Sequence, residues 1–387
     1  MFILIISRGI PSKRYPQWGC FEKDQAEALA SIGHKVVVVS VDGRFRFIYR
    51  NHGLTHVVGN NGVDYYNHYL LPHALVNLFG RQMTLRLQNW QIDRVYDMVE
   101  KCHGKPDIIY AQMFGNMLLG VHLSQRLGVP VVGIEHLARF NEQTLDKWGF
   151  TKNEADYAYH NIHKLISVSQ TLRDAIYRHF RVDSVVVHNL VGKEFSYQPN
   201  NTSHPLTFVT TGSLIHRKGF DLLIEALRRV NSQLPEGWQC NIIGGGEKQA
   251  ELQQQIDQAQ LQEHIYLVGQ KNKQEIVQLL QQSDVFVLPS RGENFSVAVL
   301  EALACGLPVI ASICGGIREC IEEHNGLLFP VDDTEALANA ILHMAIHLSN
   351  YDRQAIAADC QARFSLEVIA RKLTDIFDKV LADNAIQ

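Results

Sequence analysis

Short apolar runs alternate with longer helix-period stretches along most of the 387-residue chain. In the first half the runs are Ile3 to Ile6, Val36 to Val41, Ile108 to Tyr110, Val129 to Ile134, Leu165 to Val168 and Val185 to His188. They are rich in β-branched residues and nearly unbroken by polar positions, which predicts strands buried on both faces. Strands alternating with helices imply a parallel sheet covered on both sides. Residues 206 to 345 repeat the pattern at Thr207 to Thr210, Cys240 to Ile243, Ile265 to Val268, Val285 to Leu288, Val309 to Ala311 and Leu327 to Phe329. Between the halves lies GKEFSYQPNNTSHP, polar and rich in turn formers, which reads as a linker. The expectation is an α/β protein of two doubly wound parallel-sheet domains, 1–190 and 206–362, joined by residues 191–205. A chain of this length favours two cores over one. The last stretch, 363–387, is amphipathic through Val368, Leu373, Ile376, Phe377 and Val380 and predicts a terminal helix.

The most informative stretch is DVFVLPSRGENFSVAVLEALACGLPVIA, residues 284–311. A strand ends at Pro289, a loop delivers Glu293, and a helix starts near Ser296. Val297, Leu300 and Ala304 recur along that helix, which stops at Cys305-Gly306-Leu307-Pro308. Glu293 and Glu301 therefore both lie near a helix N-terminus, where free amides and the macrodipole attract phosphate. A carboxylate beside an anion site is unfavourable unless it binds something else, and sugar hydroxyls suit it. Alone, an acid pair at this spacing is also compatible with a solvated loop residue and a helix-surface charge.

Ligands of open α/β sheets bind beyond the carboxyl ends of the strands, so the loops after strands carry the other candidates. Gly19 precedes the first helix. Val129 to Glu135 runs straight into His136. After Val209-Thr210-Thr211 come Gly212 and then Arg217-Lys218-Gly219, a basic pair well placed to meet a diphosphate. Gly244-Gly245-Gly246 and Gly269-Gln270 follow two further strands. Solvent-facing turns and a structural histidine are the plain alternatives for these positions.

Composition changes the picture little. Seven scattered cysteines without a C-x-x-C suggest neither a disulfide framework nor a zinc site, and fit a reducing cytoplasm. The opening apolar run is too short and lacks the basic flank of a signal peptide, and no run is long enough to span a membrane. Residues 1–195 carry net +5 and 196–387 net −9, so the first half is the one to meet an anion. Within it, Arg44-Phe45-Arg46-Phe47-Ile48-Tyr49-Arg50 alternates arginine with apolar, mostly aromatic residues, and Arg81, Arg86, Trp90 and Arg94 follow. That pattern suits a membrane surface, a lipid-linked phosphate or a nucleic-acid strand; beside the rest of the chain, an acceptor or membrane contact is the expectation and nucleic acid is not.

The segment E-N-F-S-V-A-V-L-E resembles the E-x7-E signature of glycosyltransferase family 4, the retaining nucleotide-sugar transferases of GT-B fold. The resemblance covers most of residues 1–380 and is tightest over 206–332. It implies two Rossmann-like domains facing across a cleft, with the terminal helix crossing back to the first domain. It assigns the donor sugar to Glu293, the ribose to Glu301, and the diphosphate to Lys218 and the amides of Phe295 and Ser296, with Arg217 beside them and Asn294 among the donor-binding residues. Gly19 would lie near the donor phosphate, His136 near the sugar, and Gly269 and Gln270 along the base. Glu293, His136 and Lys218 are thus the implied catalytic residues. Three departures stand out: Ser296 occupies a common glycine position, Ser213 a common arginine position, and Gln112 a common histidine position. No cofactor or metal is expected, since no Asp-x-Asp occurs in the chain. The implied partners are a UDP- or GDP-sugar donor and a glycan or lipid-linked acceptor, in a cytoplasmic protein peripheral at the inner face of the membrane. A sugar-nucleotide epimerase of the same plan and a non-catalytic sugar-nucleotide binder remain alternatives; a glycan phosphorylase would usually need a longer chain.

Overall fold

A computed structural model describes residues 1–9, 18–43, 52–59, 62–70, 72–137, 140, 150–199 and 204–386. The arginine–aromatic segment 44–50 lies outside the described residues. The chain divides into two compact units, Met1–His188 with Leu366–Gln387, and Asn189–Ser365.

In chain order the first unit contains β1 (Phe2–Ser7), α1 (Cys20–Ser31), β2 (Lys35–Val41), β3 (Gly53–Val58), β4 (Asp64–Tyr69), α2 (His73–Val76), α3 (Arg81–His103), β5 (Ile108–Gln112), α4 (Met113–Leu127), β6 (Val131–Glu135), α5 (Phe150–Asn161), β7 (Lys164–Ser167), α6 (Gln170–Phe180) and β8 (Val185–Val186). The sheet runs β3-β4-β2-β1-β5-β6-β7-β8. All neighbours are parallel except the β3–β4 pair, which is antiparallel. The apolar runs became central strands because helices cover both faces, and every position of β1, β5 and β6 is buried.

The sequence pattern did not reveal β3 and β4. On the edge strand β3, Leu54, Val57 and Val58 are exposed, so nothing demands a continuous apolar run. In β4, Asn67 is half-buried yet satisfied by the Ser40 hydroxyl at 2.8 Å. A strand that meets its polar needs by cross-strand bonds does not advertise itself in hydropathy.

The second unit contains β9 (Thr207–Thr211), α7 (Phe220–Val230), β10 (Gln239–Ile243), α8 (Gln249–Gln258), β11 (Ile265–Gly269), α9 (Lys273–Gln281), β12 (Val285–Leu288), α10 (Val297–Ala304), β13 (Val309–Ser312), β14 (Gly326–Phe329), α11 (Thr334–His347) and α12 (Arg353–Phe364). Its sheet is wholly parallel in the order β11-β10-β9-β12-β13-β14. The helix α7 shows why the pattern is legible here: Phe220, Leu223, Ile224, Leu227 and Val230 are buried at helical spacing. Glu225, Arg228 and Arg229 pair on its outer face.

Part of the expected linker belongs to this second core. Phe195 is fully buried, and its carbonyl accepts from Gln361 Nε2 at 3.2 Å. Gln281 Nε2 binds the Ser196 carbonyl at 2.9 Å. One buried aromatic in a polar stretch is enough to fix the backbone around it.

The last helix, α13 (Leu366–Ile386), is grouped with the first unit. Ile369, Leu373 and Phe377 are fully buried. The Phe377 ring meets Tyr110 of β5 at 5.1 Å, and Thr374 bonds His34 at 2.9 Å.

Each sheet reverses its strand order once, between β1 and β5 in the first unit and between β9 and β12 in the second. Loops leaving neighbouring strands on either side of such a point diverge and open a crevice at the carboxyl edge. The candidate residues are to be sought there.

Because Phe377 anchors the terminal helix in the first core, Phe377→Ala is expected to destabilise that unit by about 3–5 kcal/mol. Urea unfolding should then show the first unit's transition at lower denaturant, with that of the second unit unmoved.

Candidate functional site

In the second unit the loops after β9 and β12 flank the reversal point. The β9 loop is fixed from one side by the glycine turn after β10: Leu214 N donates to the Gly245 carbonyl at 3.1 Å, and Lys248 N to the Leu214 carbonyl at 2.9 Å. It then makes a 3-10 turn over His216–Lys218 and enters α7 at Gly219. Gly219 sits at φ 67°, and a Cβ there would lie 1.9 Å from the Pro289 carbonyl oxygen. Only glycine permits the β9 and β12 loops to approach so closely.

That approach brings Lys218 to Glu293. Lys218 Nζ donates to Glu293 Oε1 at 2.5 Å, and the Ser290 hydroxyl donates to the same oxygen at 2.8 Å. Arg217 Nη1 lies 3.6 Å from Glu293 Oε2 and donates to the Gly292 carbonyl. Both partners of the Lys218–Glu293 pair are largely buried, with side chains 14% and 10% exposed. A desolvated pair of this kind persists only with good geometry and further support; Ser290 supplies a hydrogen bond and Arg217 a nearby positive charge.

The Glu293 loop is held from behind as well. The Ser312 hydroxyl at the end of β13 donates to the Ser290 carbonyl, and Gly316 N donates to the Asn294 carbonyl at 2.5 Å. Asn189 Nδ2 donates to the Phe295 carbonyl at 2.8 Å, and the Phe295 ring packs on Phe364 at 5.6 Å. Ser296 then caps α10 in extended conformation, φ −73° and ψ 115°, without a side-chain bond to the first turn. That conformation is open to any residue, so serine in place of glycine costs nothing here. Glu301 stands half-buried in the second turn of α10.

Arg291 was not foreseen as part of this arrangement. Its guanidinium forks onto Asp221 in the first turn of α7 at 2.8 and 2.7 Å, reaches the His216 carbonyl at 2.7 Å and Asp332 at 2.6 Å. Its own amide donates to the Arg217 carbonyl at 2.8 Å. Burial alone would raise the Asp221 carboxyl, but the bonds and charge of Arg291 outweigh it and hold that group below its usual range. Arg291 therefore staples the Lys218 turn to the Glu293 loop. Sequence spacing could not show this, because its partners lie 70 and 41 residues away.

Gly269 ends β11 at φ 78° and accepts from Gly244 N at 3.0 Å, which ties it to the turn that supports the β9 loop. Gln270 lies against the same turn, 3.0 Å from where a Cβ on Gly245 would stand. Arg217, Lys218, Glu293, Asn294, Phe295 and Ser296 are thus brought together, with Gly269 and Gln270 one turn removed and Glu301 along α10.

Gly19 and His136 belong to the first unit, near its own reversal point. Gly19 enters α1 at φ 75°, and Phe21 in the first turn stacks on the His136 ring at 6.4 Å. His136 Nε2 meets Gln112 Oε1 at 3.1 Å; Gln112 Nε2 and the Tyr110 hydroxyl both donate to Gln25 Oε1, at 2.7 and 2.9 Å. Beside them Arg8 forks onto buried Glu22 at 2.6 and 3.2 Å. Burial would raise Glu22, but Arg8 pulls it below the ordinary carboxyl range. Burial pushes the neighbouring Cys20 thiol up to about 11, which keeps it protonated and poorly nucleophilic near neutrality.

The residue before the histidine, Glu135, is fully buried and was also not foreseen. It accepts from the amides of His136, Leu137 and Phe114 at 2.8, 3.0 and 3.0 Å, and from the Tyr159 hydroxyl at 2.8 Å. Burial pushes its carboxyl up, against the opposing pull of those four donors. Both oxygens only accept, so an amide in its place would set an N–H group against other N–H groups. Among the described residues no group of three or more His, Cys, Asp or Glu is placed to hold a metal ion.

Two outcomes follow from these networks. Glu135→Gln is expected to destabilise the first unit by about 2–4 kcal/mol, since at least one donor pair is left buried and unmatched; thermal unfolding reads it. Arg291→Lys keeps the charge but loses the fork, and should cost about 1–2 kcal/mol in the second unit while raising the protease sensitivity of the loop at Arg217–Lys218. Unchanged cleavage there would remove Arg291 from its role as staple.

Comparison with known proteins bears on the family and the fold. Residues 193–356 match the family described as glycosyl transferases group 1, and residues 23–195 match glycosyltransferase family 4. An uncharacterized glycosyltransferase of Methanocaldococcus jannaschii is 30% identical over 189 residues, 49% of this chain and 51% of that protein. The amylovoran biosynthesis glycosyltransferase AmsK of Erwinia amylovora is 31% identical over 198 residues, 49% of this chain and 48% of that protein. The chain thus spans about half the length of the curated relatives it matches. Among solved structures, sucrose-phosphate synthase from Thermosynechococcus elongatus superposes with a TM-score of 0.76 at 20% identity, covering 99% of both chains. Anabaena HepE in complex with UDP superposes with a TM-score of 0.71 at 18% identity, covering 98% of this chain and 99% of that one. Likeness at such identity establishes the fold, which is GT-B. With the two family matches together running from residue 23 to residue 356, the chain belongs to the family 4 glycosyltransferases.

Proposed function

We propose that this protein transfers a sugar from a UDP- or GDP-sugar to a glycan or lipid-linked acceptor, with retention at the anomeric carbon, in the assembly of a surface polysaccharide. The observation that carries the reading is the Lys218–Glu293 pair at the reversal point of the second sheet, beside the start of α10. Departure of a nucleoside diphosphate gathers negative charge on phosphate oxygens while positive charge develops on the anomeric carbon. A fixed ammonium and helix amides aimed at those oxygens supply the main stabilisation.

In this reading Lys218 meets the diphosphate, with Arg217 beside it and the amides of Asn294, Phe295 and Ser296 completing the cradle. Glu293 holds the ammonium in place and accepts from the sugar hydroxyls; Glu301 accepts from the ribose. Gly269 and Gln270 line the base, and Gly19 and His136 keep the roles that the family resemblance assigns them. The acceptor oxygen bonds to the anomeric carbon on the face the phosphate leaves. The carbon–oxygen bond to phosphate breaks, and the acceptor's proton passes to the departing phosphate. No metal is required by this scheme. Relatives named for amylovoran and colanic acid biosynthesis support a polysaccharide product, and the UDP complex of HepE supports a uridine donor.

A panel of UDP-, GDP- and ADP-sugars, read by thermal shift and slow hydrolysis, is expected to single out one donor. Lys218→Ala should abolish the shift. Glu293→Gln should retain it and lower turnover by about 10²-fold or more. A changed sugar nucleotide released without any acceptor would instead identify an epimerase, and no shift with any donor would sink the transferase reading.

A further inference from the structure

Among the described residues the two sheets leave four edge strands, β3 and β8 in the first unit and β11 and β14 in the second. An edge presents unpaired N–H and C=O groups and invites another strand, so proteins keep edges short, irregular, covered or charged. Three of the four follow that rule. Strand β8 has only two residues, β14 has four with none exposed, and the pairing of β11 with β10 shifts register between Ile242 and Ile243. Strand β3 does not. Its six residues, GLTHVV, include no proline, lysine, arginine or acid, and they pair with β4 in unbroken register from Gly53 to Val58. Leu54, Val57 and Val58 are 38%, 58% and 63% exposed.

The hairpin tells which groups point off the free edge. Gly59 N donates to the Val63 carbonyl at 2.8 Å, which marks 59 and 63 as a hydrogen-bonded pair. Alternation along an antiparallel ladder then makes 57–65, 55–67 and 53–69 the bonded pairs and turns the N–H and C=O of Leu54, His56 and Val58 outward. The far side of β4 has the same phase, since the Asp42 amide donates to the carbonyl of His68, the residue opposite Leu54. The side chains of Leu54, His56 and Val58 share one face, where His56 stacks on Tyr66 at 4.2 Å and meets Asp64 at 2.7 Å.

This edge is its own antiparallel complement. A two-fold axis normal to the sheet at His56 sets Leu54 of one copy opposite Val58 of the other, and His56 opposite its mate. Three residue pairs then each exchange two main-chain bonds. Leu54 and Val58 cover each other on one face, and Thr55 covers Val57 on the other. Each His56 ring keeps its own Asp64, and no lysine, arginine or acid of the strand meets a like charge. A foreign strand would have to bring the same match; a second copy carries it already.

We propose that β3 is a homodimer contact, through which two copies join edge to edge in one continuous sheet. The axis closes the edge on itself, so assembly stops at two. The inference rests on main-chain pairing in the first unit and not on the proposed transfer reaction.

Sedimentation velocity of the full chain over a range of concentrations is expected to show a monomer–dimer equilibrium. Val58→Lys should raise the dissociation constant by about tenfold or more, because the change enters the contact twice. Val58→Pro removes an outward N–H and leaves the β3–β4 ladder whole, so it should yield monomer with the thermal midpoint unchanged. The register is read by cross-linking in a Cys102→Ser background, which silences an exposed native thiol. His56→Cys should form a disulfide-linked dimer on mild oxidation, because residues opposite each other in a bonded pair stand about 5.5 Å apart, within disulfide reach. Thr55→Cys, which lies two positions from its mate across the axis, should not. The proposal is overturned if the chain stays monomeric at every concentration, if a dimer withstands both Val58 variants, if Thr55→Cys links in place of His56→Cys, or if assembly runs beyond two copies.

Discussion

The bond between Lys218 and Glu293 organises the second unit's candidate site, because it joins the two loops that diverge from β9 and β12. Two opposite charges 75 residues apart meet at 2.5 Å with little water around them. Removing one partner of such a pair leaves a buried charge uncompensated, commonly at about 3–5 kcal/mol, so neither residue can be lost quietly. In the proposed reading the same low exposure gives the pair its use. An ammonium already stripped of most water loses less on meeting a diphosphate, and a carboxylate already held by Ser290 does not swing away when the lysine's charge is shared.

The pair depends in turn on backbone constraints. Gly219 lets the Pro289 carbonyl pass at a distance no side chain would allow. Gly315, at φ 56°, does the same for the Glu293 carbonyl, where a Cβ would come within 2.0 Å. Arg291 then locks the turn, the start of α7 and the loop at Asp332 into one piece. Two glycines admit the close approach and one arginine makes it rigid, which is the preorganisation that the proposed stabilisation of a leaving group would require.

How much of this was legible depends on where each residue's reason lies. Strands β9, β12 and β13 were readable because every one of their residues is buried, a condition that hydropathy records directly. Lys218, Glu293 and Ser296 were readable because loop, glycine and helix start are adjacent in sequence. Arg291 was in plain view two residues before Glu293, yet its function is written in Asp221 and Asp332, which only the fold brings near. Phe195 was masked by polar neighbours, β3 by its exposure, and β4 by polar residues such as Asn67 and His68 that the fold covers and satisfies. Glu135 reads as one more acid; its weight comes from four donors that converge from β6, α4 and α5.

The first unit's network also bears on what His136 can do. The Tyr110 hydroxyl and the Gln112 amide both donate to Gln25 Oε1, so Gln112 presents its oxygen to His136. An oxygen in that place accepts, which sets a proton on Nε2 of the imidazole. A histidine at position 112, as the family often has, would titrate and could offer either a proton or a lone pair. Glutamine carries donor and acceptor at once and does not change charge with pH. The oxygen of Gln112 therefore favours a proton on Nε2 of His136, while Glu135 fixes the backbone from which that ring projects.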